Sequence, residues 1–195
     1  MNKNAKKFMS ISIWTTTIFL LVRLLISWTD IKDMWESNQL LNLCYNCFGY
    51  IGEAIITATV FMTVFNKWGW KWKWLRWTHN IPILSKSYIG IFKSDYDNVE
   101  RTGNVIINQT FLTVTVQMKT EESTSRSLTA SFKDEQGIHR LIYTYQNDPN
   151  AEIQDSSPIH YGTVLLIVNN SLILEGNYFT GRKSRGSIRF ESNTK

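Results

Sequence analysis

The chain has 195 residues and a net charge of +5, room for one globular domain and an anchoring segment. The charge is uneven: residues 1–77 carry nine Lys and Arg against four Asp and Glu, while residues 78–195 carry twelve of each. The basic excess therefore follows the N-terminal segment, so no DNA or RNA partner is expected, and two cysteines exclude a disulfide framework.

In chain order, a leader holding Lys3, Lys6 and Lys7 precedes an apolar stretch at Phe8–Trp28. A helix of that length rises about 31 Å, matching a hydrocarbon core of about 30 Å. No small-residue cleavage site follows, so the stretch reads as a span and not as a signal peptide. Residues 29–42 read as a short acidic turn with Asp30, Asp33 and Glu36 against Lys32. A second span is expected at Leu43–Phe65. Cys44 and Cys47 near its start read as small apolar residues in a helix, with no second cysteine pair to complete a zinc site.

Two charges fall inside the spans. Glu53 lies near the middle of the second, where an ionised side chain costs roughly 2.5–3.5 kcal/mol on insertion scales. Arg23 lies about 7 Å from the outer end of the first. Two compatible readings stand. Arg23 and Glu53 pair and fix the register of a helical hairpin, or Glu53, beside Gly49 and Gly52, faces other hairpins in an oligomer.

The second span is followed by an interleaved Trp and Lys run with Trp68, Trp70, Trp72, Trp74 and Trp77. Indole rings favour the headgroup layer, and cationic flanks mark the cytoplasmic side. Residues 1–77 thus read as a two-helix anchor with an interfacial tryptophan collar. Both termini fall in the cytoplasm, and residues 78–195 form a cytosolic domain.

From Ser85 onward, period-two alternation broken by turn residues predicts eight strands. They span Lys86–Ser94, Gly103–Asn108, Thr110–Lys119, Arg126–Lys133, Ile138–Gln146, Ile159–Val168, Ser171–Tyr178 and Arg185–Ser192. Short connections between antiparallel strands favour an eight-stranded up-and-down β-barrel, minimal and lipocalin-like, with a sandwich as the alternative. Val164–Val168 and Leu172–Leu174 are apolar on both faces, which points to packing outside the barrel against a neighbouring subunit or a membrane surface.

Neither a phosphate loop nor a nucleophile elbow is present. The histidines, His79, His139 and His160, have no carboxylate cluster at metal-ligand spacing. The chain reads as a non-enzyme without cofactor or metal. The segment Gly181–Arg189 holds four basic residues and no acidic one, and guanidinium forks suit phosphate oxygens. Tyrosines at 88, 96, 143, 145, 161 and 178 can stack on bases. Candidate ligand-binding residues are Arg140, Tyr178, Arg182, Lys183, Arg185 and Arg189. Alternation does not decide which face of the strands bearing Arg140 and Arg189 points inward.

The layout of basic leader, two spans, tryptophan-lysine collar and small all-β domain resembles the two-transmembrane, β-barrel effectors of bacterial CBASS anti-phage systems. These are the CD-NTase-associated, membrane-disrupting effectors. The segments most similar to the family are Tyr88–Ser94, Leu174–Tyr178 and Gly186–Phe190. The resemblance implies a cyclic dinucleotide made by a partner CD-NTase as the activating ligand. It also implies a homo-oligomer on activation, disruption of the inner membrane bilayer, and death of the infected cell. The alternative is a membrane-tethered carrier or scaffold whose barrel holds an apolar molecule or a protein partner.

Overall fold

The computed structural model describes residues 3–193; the side chain of Lys3, one of the leader lysines, lies outside this description. The chain divides into two compact units, residues 1–79 and 80–195.

The first unit holds α1 (Lys3–Ile26), α2 (Trp28–Glu36) and α3 (Leu40–Lys67), then two 3-10 turns, Gly69–Lys71 and Lys73–Thr78. Asn4–Ile26 and Leu40–Lys67, 23 and 28 residues, are long and apolar enough to cross a membrane. α1 and α3 run antiparallel, with Phe19 and Phe61 meeting edge to face at 6.1 Å. Thr57, Thr59 and Thr63 donate their hydroxyls to the carbonyls four residues earlier, which removes exposed polar groups from an apolar helix.

Three expectations are corrected here. The acidic connection is not a turn but the nine-residue α2. Ile31 and Met34 are its half-buried face, Asp30 stands in its first turn, and Lys32 pairs with Glu36 at 3.6 Å. The first span ends at Ile26, so Trp28 opens α2 instead of closing α1. The tryptophan run also divides. Trp68, Trp72, Trp74 and Trp77 are exposed, whereas Trp70 is wholly buried, its ring 5.6 Å from that of His79. A 3-10 turn advances about 120° per residue, so residues two apart leave the helix in different directions. Burial lowers the His79 pKa, which keeps the ring neutral while Nε2–H donates to the Trp70 carbonyl at 2.8 Å.

The second unit is a closed antiparallel barrel of β1 (Ser87–Ser94), β2 (Glu100–Gln109), β3 (Val114–Lys119), β4 (Ser123–Glu135), β5 (Ile138–Pro149), β6 (His160–Val168), β7 (Ile173–Thr180) and β8 (Arg185–Ser192). Each strand pairs with its sequence neighbours, and β8 closes on β1 with Gly90 opposite Phe190. Inward positions fill the interior with Tyr88, Val105, Ile107, Val116, Leu141, Val164, Leu166, Leu174, Ile188 and Phe190. This is the side-chain-filled interior expected of eight strands.

Strand boundaries shift by a few residues from the sequence expectation. β2 starts at Glu100, three residues earlier than the alternation suggested, and β3 starts at Val114. The β2–β3 connection is a turn at Thr110–Thr113, where Thr110 N–H donates to the Thr113 carbonyl at 2.8 Å. The residues that are apolar on both faces divide between the interior and the outer wall. Val164 and Leu166 are buried in the barrel, while Leu165 and Ile167 form a half-buried strip outside it.

Candidate ligand site at the barrel mouth

The two ends of the barrel differ in chemistry. One end carries the turns after β2, β4 and β6 and the entering segment Ser85–Ser87. It is sealed by Leu84 and by Tyr88, whose hydroxyl donates to the Ser171 carbonyl at 2.7 Å. The other end carries the connections after β1, β3, β5 and β7. Its inward positions are Phe92, Arg101, Ser125, Tyr145, Asn147, His160 and Tyr178, a polar and aromatic set above the aliphatic core.

The register explains how these side chains converge. Ser125 faces Asn147, and Asn147 faces His160 on the next strand. Phe92 faces Arg101 across β1 and β2. Tyr145 lies over Gly162, where an added Cβ would sit 2.5 Å from the phenol ring. Tyr178 lies over Gly186 in the same way, at 2.7 Å, and meets Phe92 edge to face at 6.4 Å. The two glycines therefore give up side chains so that two tyrosine rings can lie against the barrel wall.

The hydroxyls of Tyr143, Tyr145 and Tyr178 have no hydrogen-bond partner among the described residues, although Tyr143 is 5% and Tyr178 9% exposed. None of the three is sealed from solvent, so each hydroxyl borders accessible space in which it can donate to a polar guest.

A family model described as "Cap15, cyclic dinucleotide receptor domain" matches residues 79–192, the whole barrel. The curated "CD-NTase-associated protein 15" of Staphylococcus schleiferi is 31% identical over 193 residues, covering 98% of both chains. The chain belongs to the Cap15 family. It is a Cap15-like effector of the CBASS type, as its layout suggested, and its barrel is a cyclic dinucleotide receptor domain.

Within this Cap15 barrel the sequence candidates separate. Tyr178 points into the mouth. Arg182 and Lys183 stand on the β7–β8 connection at the same end, Arg182 donating to the Ser157 hydroxyl at 3.1 Å and Lys183 at a φ of 66°. Arg185 stands outside the base of that connection, its Nε 3.2 Å from Asp95.

Arg140 and Arg189 point outward, away from the mouth. Arg140, near the sealed end, has its Nε 3.0 Å from a Glu135 carboxylate oxygen without an aligned hydrogen bond. Arg189 is clamped between Glu175 at 2.8 Å and Glu191 at 2.7 Å. The structure thus gathers Tyr178, Arg182 and Lys183 at one end and leaves Arg140 and Arg189 on the outer wall.

Sequence reasoning missed Arg101, the cation that β2 directs inward. Its guanidinium contacts Asp97 in the β1–β2 connection and lies 3.9 Å from Glu122. The signal was present: Val105 and Ile107 are in phase with it, and stepping back by twos reaches Gly103 and then Arg101. Starting the strand at Gly103 cut it off.

The mouth holds one tight ion pair beside a second guanidinium. The Asp97 carboxyl is held below its usual pKa by its hydrogen bonds from Arg101 and from the Val99 N–H, and Arg101 is correspondingly raised by Asp97. Burial pushes Tyr145 up to about 12 and Tyr143 further still, so both phenols are protonated and can donate. Burial lowers His160, and the nearby Arg182 lowers it further. At neutral pH the mouth therefore presents neutral hydroxyl donors, the Arg182 guanidinium, and the Arg101 guanidinium paired with the Asp97 carboxylate.

In the first unit, Arg23 Nε donates to Glu53 at 2.5 Å. Its guanidinium lies 4.4 Å above the Tyr50 ring and also bonds the buried Ser27 hydroxyl. The Glu53 side chain remains 58% exposed, and Gly49 and Gly52 border open space. No group of three or more potential metal ligands occurs among the described residues.

Proposed function

We propose that the barrel mouth binds the two phosphates of a cyclic dinucleotide through Arg101 and Arg182, while Tyr145, Tyr178 and Phe92 pack against its bases. The observation that carries this reading is the set of three tyrosine hydroxyls without partners beside an inward guanidinium. Arginine forks match phosphate oxygens, and aromatic faces accept any base. The ligand is made by a partner CD-NTase, and the chain acts as a receptor without catalysing a reaction.

In this proposal α1 and α3 cross the inner membrane as a hairpin with both chain ends in the cytoplasm. The Trp68, Trp72, Trp74 and Trp77 collar lies at the headgroup level. Ligand binding drives homo-oligomerisation, and the assembled hairpins, with Glu53 exposed beside Gly49 and Gly52, breach the bilayer and end the infected cell. Taking a resting protein from 1:99 to 99:1 active requires about 5.5 kcal/mol of differential binding. Two phosphates held by charge-assisted bonds, at about 1.5–3 kcal/mol per bond, supply that range.

The test uses the full chain in nanodiscs with a panel of cyclic dinucleotides, read by calorimetry, and in dye-loaded vesicles, read by leakage. At least one dinucleotide should bind and release dye. Absence of binding across the panel would remove the receptor reading of this mouth, whereas binding without dye release would remove only the membrane step.

A further inference from the structure

The first unit contains a groove that the barrel's ligand does not explain. It has a volume of about 520 Å³ and is lined by Phe19 of α1, Ile56, Val60 and Val64 of α3, and Gly69 and Trp72 of the collar. That size is typical of a site for a small organic molecule. Its lining is apolar: the one hydroxyl, that of Thr57, is already donated to the Glu53 carbonyl. Val60 is 61% exposed, so the groove opens to the side of the helix pair.

Its dimensions suit a slender, chain-like occupant. From Ile56 to Lys67, α3 rises ~16 Å, close to the ~15 Å depth of one leaflet. Spread over that length, the volume corresponds to a cross-section of ~30 Å². A single alkyl chain fits along it.

The charge at the shallow end selects the headgroup. Lys67, Lys71, Lys73 and Arg76 are exposed there, and residues 67–77 contain no acidic side chain. Lys67 and Lys71 are held against the Trp68 and Trp70 rings at 5.1 and 5.4 Å, which keeps both ammonium groups within the collar. Basic clusters at the end of apolar interhelical clefts suit anionic headgroups.

We propose that this groove binds one anionic phospholipid, an acyl chain lying along α3 between Trp72 and Ile56 and the phosphate held by Lys67 and Lys71. The collar is then a lipid-selective site and not only a non-specific interfacial belt.

Native mass spectrometry of the full chain tests this after release from vesicles of phosphatidylcholine and phosphatidylglycerol in equal parts. One phosphatidylglycerol per chain should persist when other lipids have been stripped, with a preference over phosphatidylcholine of at least about tenfold. Val60→Trp fills the groove from its exposed side and should abolish retention of either lipid. Lys67→Gln with Lys71→Gln should keep a lipid but lose the preference, by about fivefold per lysine. Equal retention of the two lipids by the unaltered chain, or undiminished retention by Val60→Trp, overturns the proposal. As a readout independent of variant stability, phosphatidylglycerol brominated on its acyl chain should quench tryptophan emission in the unaltered chain, and less in Trp72→Phe. Equal quenching in both also overturns it.

Discussion

Arg101 and Asp97 are joined at two points across the connection from β1 to β2, Nη1 to Oδ1 at 3.2 Å and Nη2 to Oδ2 at 2.5 Å. The inward cation of the mouth is thus tied to the loop at its rim. In the proposed binding mode an entering phosphate competes with that carboxylate, which would couple binding to release of the loop.

Replacing Arg101 with Ala should weaken cyclic dinucleotide binding by ten- to a hundredfold, the loss of one charge-assisted contact. Arg189→Ala, on the outer wall between two glutamates, should change binding by less than about twofold. Calorimetry on the two variants compares them directly. Equal losses would place the phosphate contact elsewhere.

Asp97→Asn removes the competitor and should tighten ligand binding severalfold. It should also alter the acid limb of stability. The Asp97 pKa is depressed in the folded chain. Its contribution is therefore complete above the ordinary carboxylate pKa near 4 and is lost as pH falls toward the lower folded value. Melting temperature measured from pH 7 to pH 3 should drop more steeply for the unaltered chain than for Asp97→Asn.

Gly186→Ala should destabilise the barrel by about 1–3 kcal/mol through overpacking. The new Cβ would stand 2.0 Å from the Lys93 carbonyl oxygen and 2.7 Å from the Tyr178 ring. Denaturant unfolding gives the loss. Gly137→Ala, at a φ of 87° with open space around it, should also cost stability, but by backbone strain without disturbing Tyr178.

Arg23→Ala leaves Glu53 unpaired in an apolar helix pair and should destabilise the hairpin more than Glu53→Gln, which retains a hydrogen-bond acceptor for Arg23. Replacing both residues with Met should recover most of the loss. Thermal unfolding in nanodiscs ranks the three variants. Arg23→Ala as stable as the unaltered chain would show that the pair carries no weight.

The barrel was legible because its strands alternate cleanly and its turns are short. β8 begins and ends where alternation places it, at Arg185 and Ser192. α2 was hidden because nine residues with four charges resemble a turn until Ile31 and Met34 are seen packing as one face. Trp70 was misread because alternation implies a common face, whereas a 3-10 turn scatters residues two apart. Arg140 and Arg189 were ambiguous for another reason. Their strands carry large side chains on both faces, so the inward phase is fixed only by neighbours such as Leu141 and Phe190. Arg101 was recoverable in principle, and the tyrosine-over-glycine pairs were not, since each joins strands whose register no single segment encodes.

The barrel's first and last strands meet at the rim opposite the tyrosine mouth. There the Ser192 hydroxyl lies 2.9 Å from that of Ser85, and the Asn193 side chain donates to the Ser87 hydroxyl at 3.0 Å. A fluorophore or affinity handle attached at this rim therefore lies at the barrel end away from the mouth. Such a label would report the proposed assembly optically in living cells and leave the proposed ligand site unobstructed.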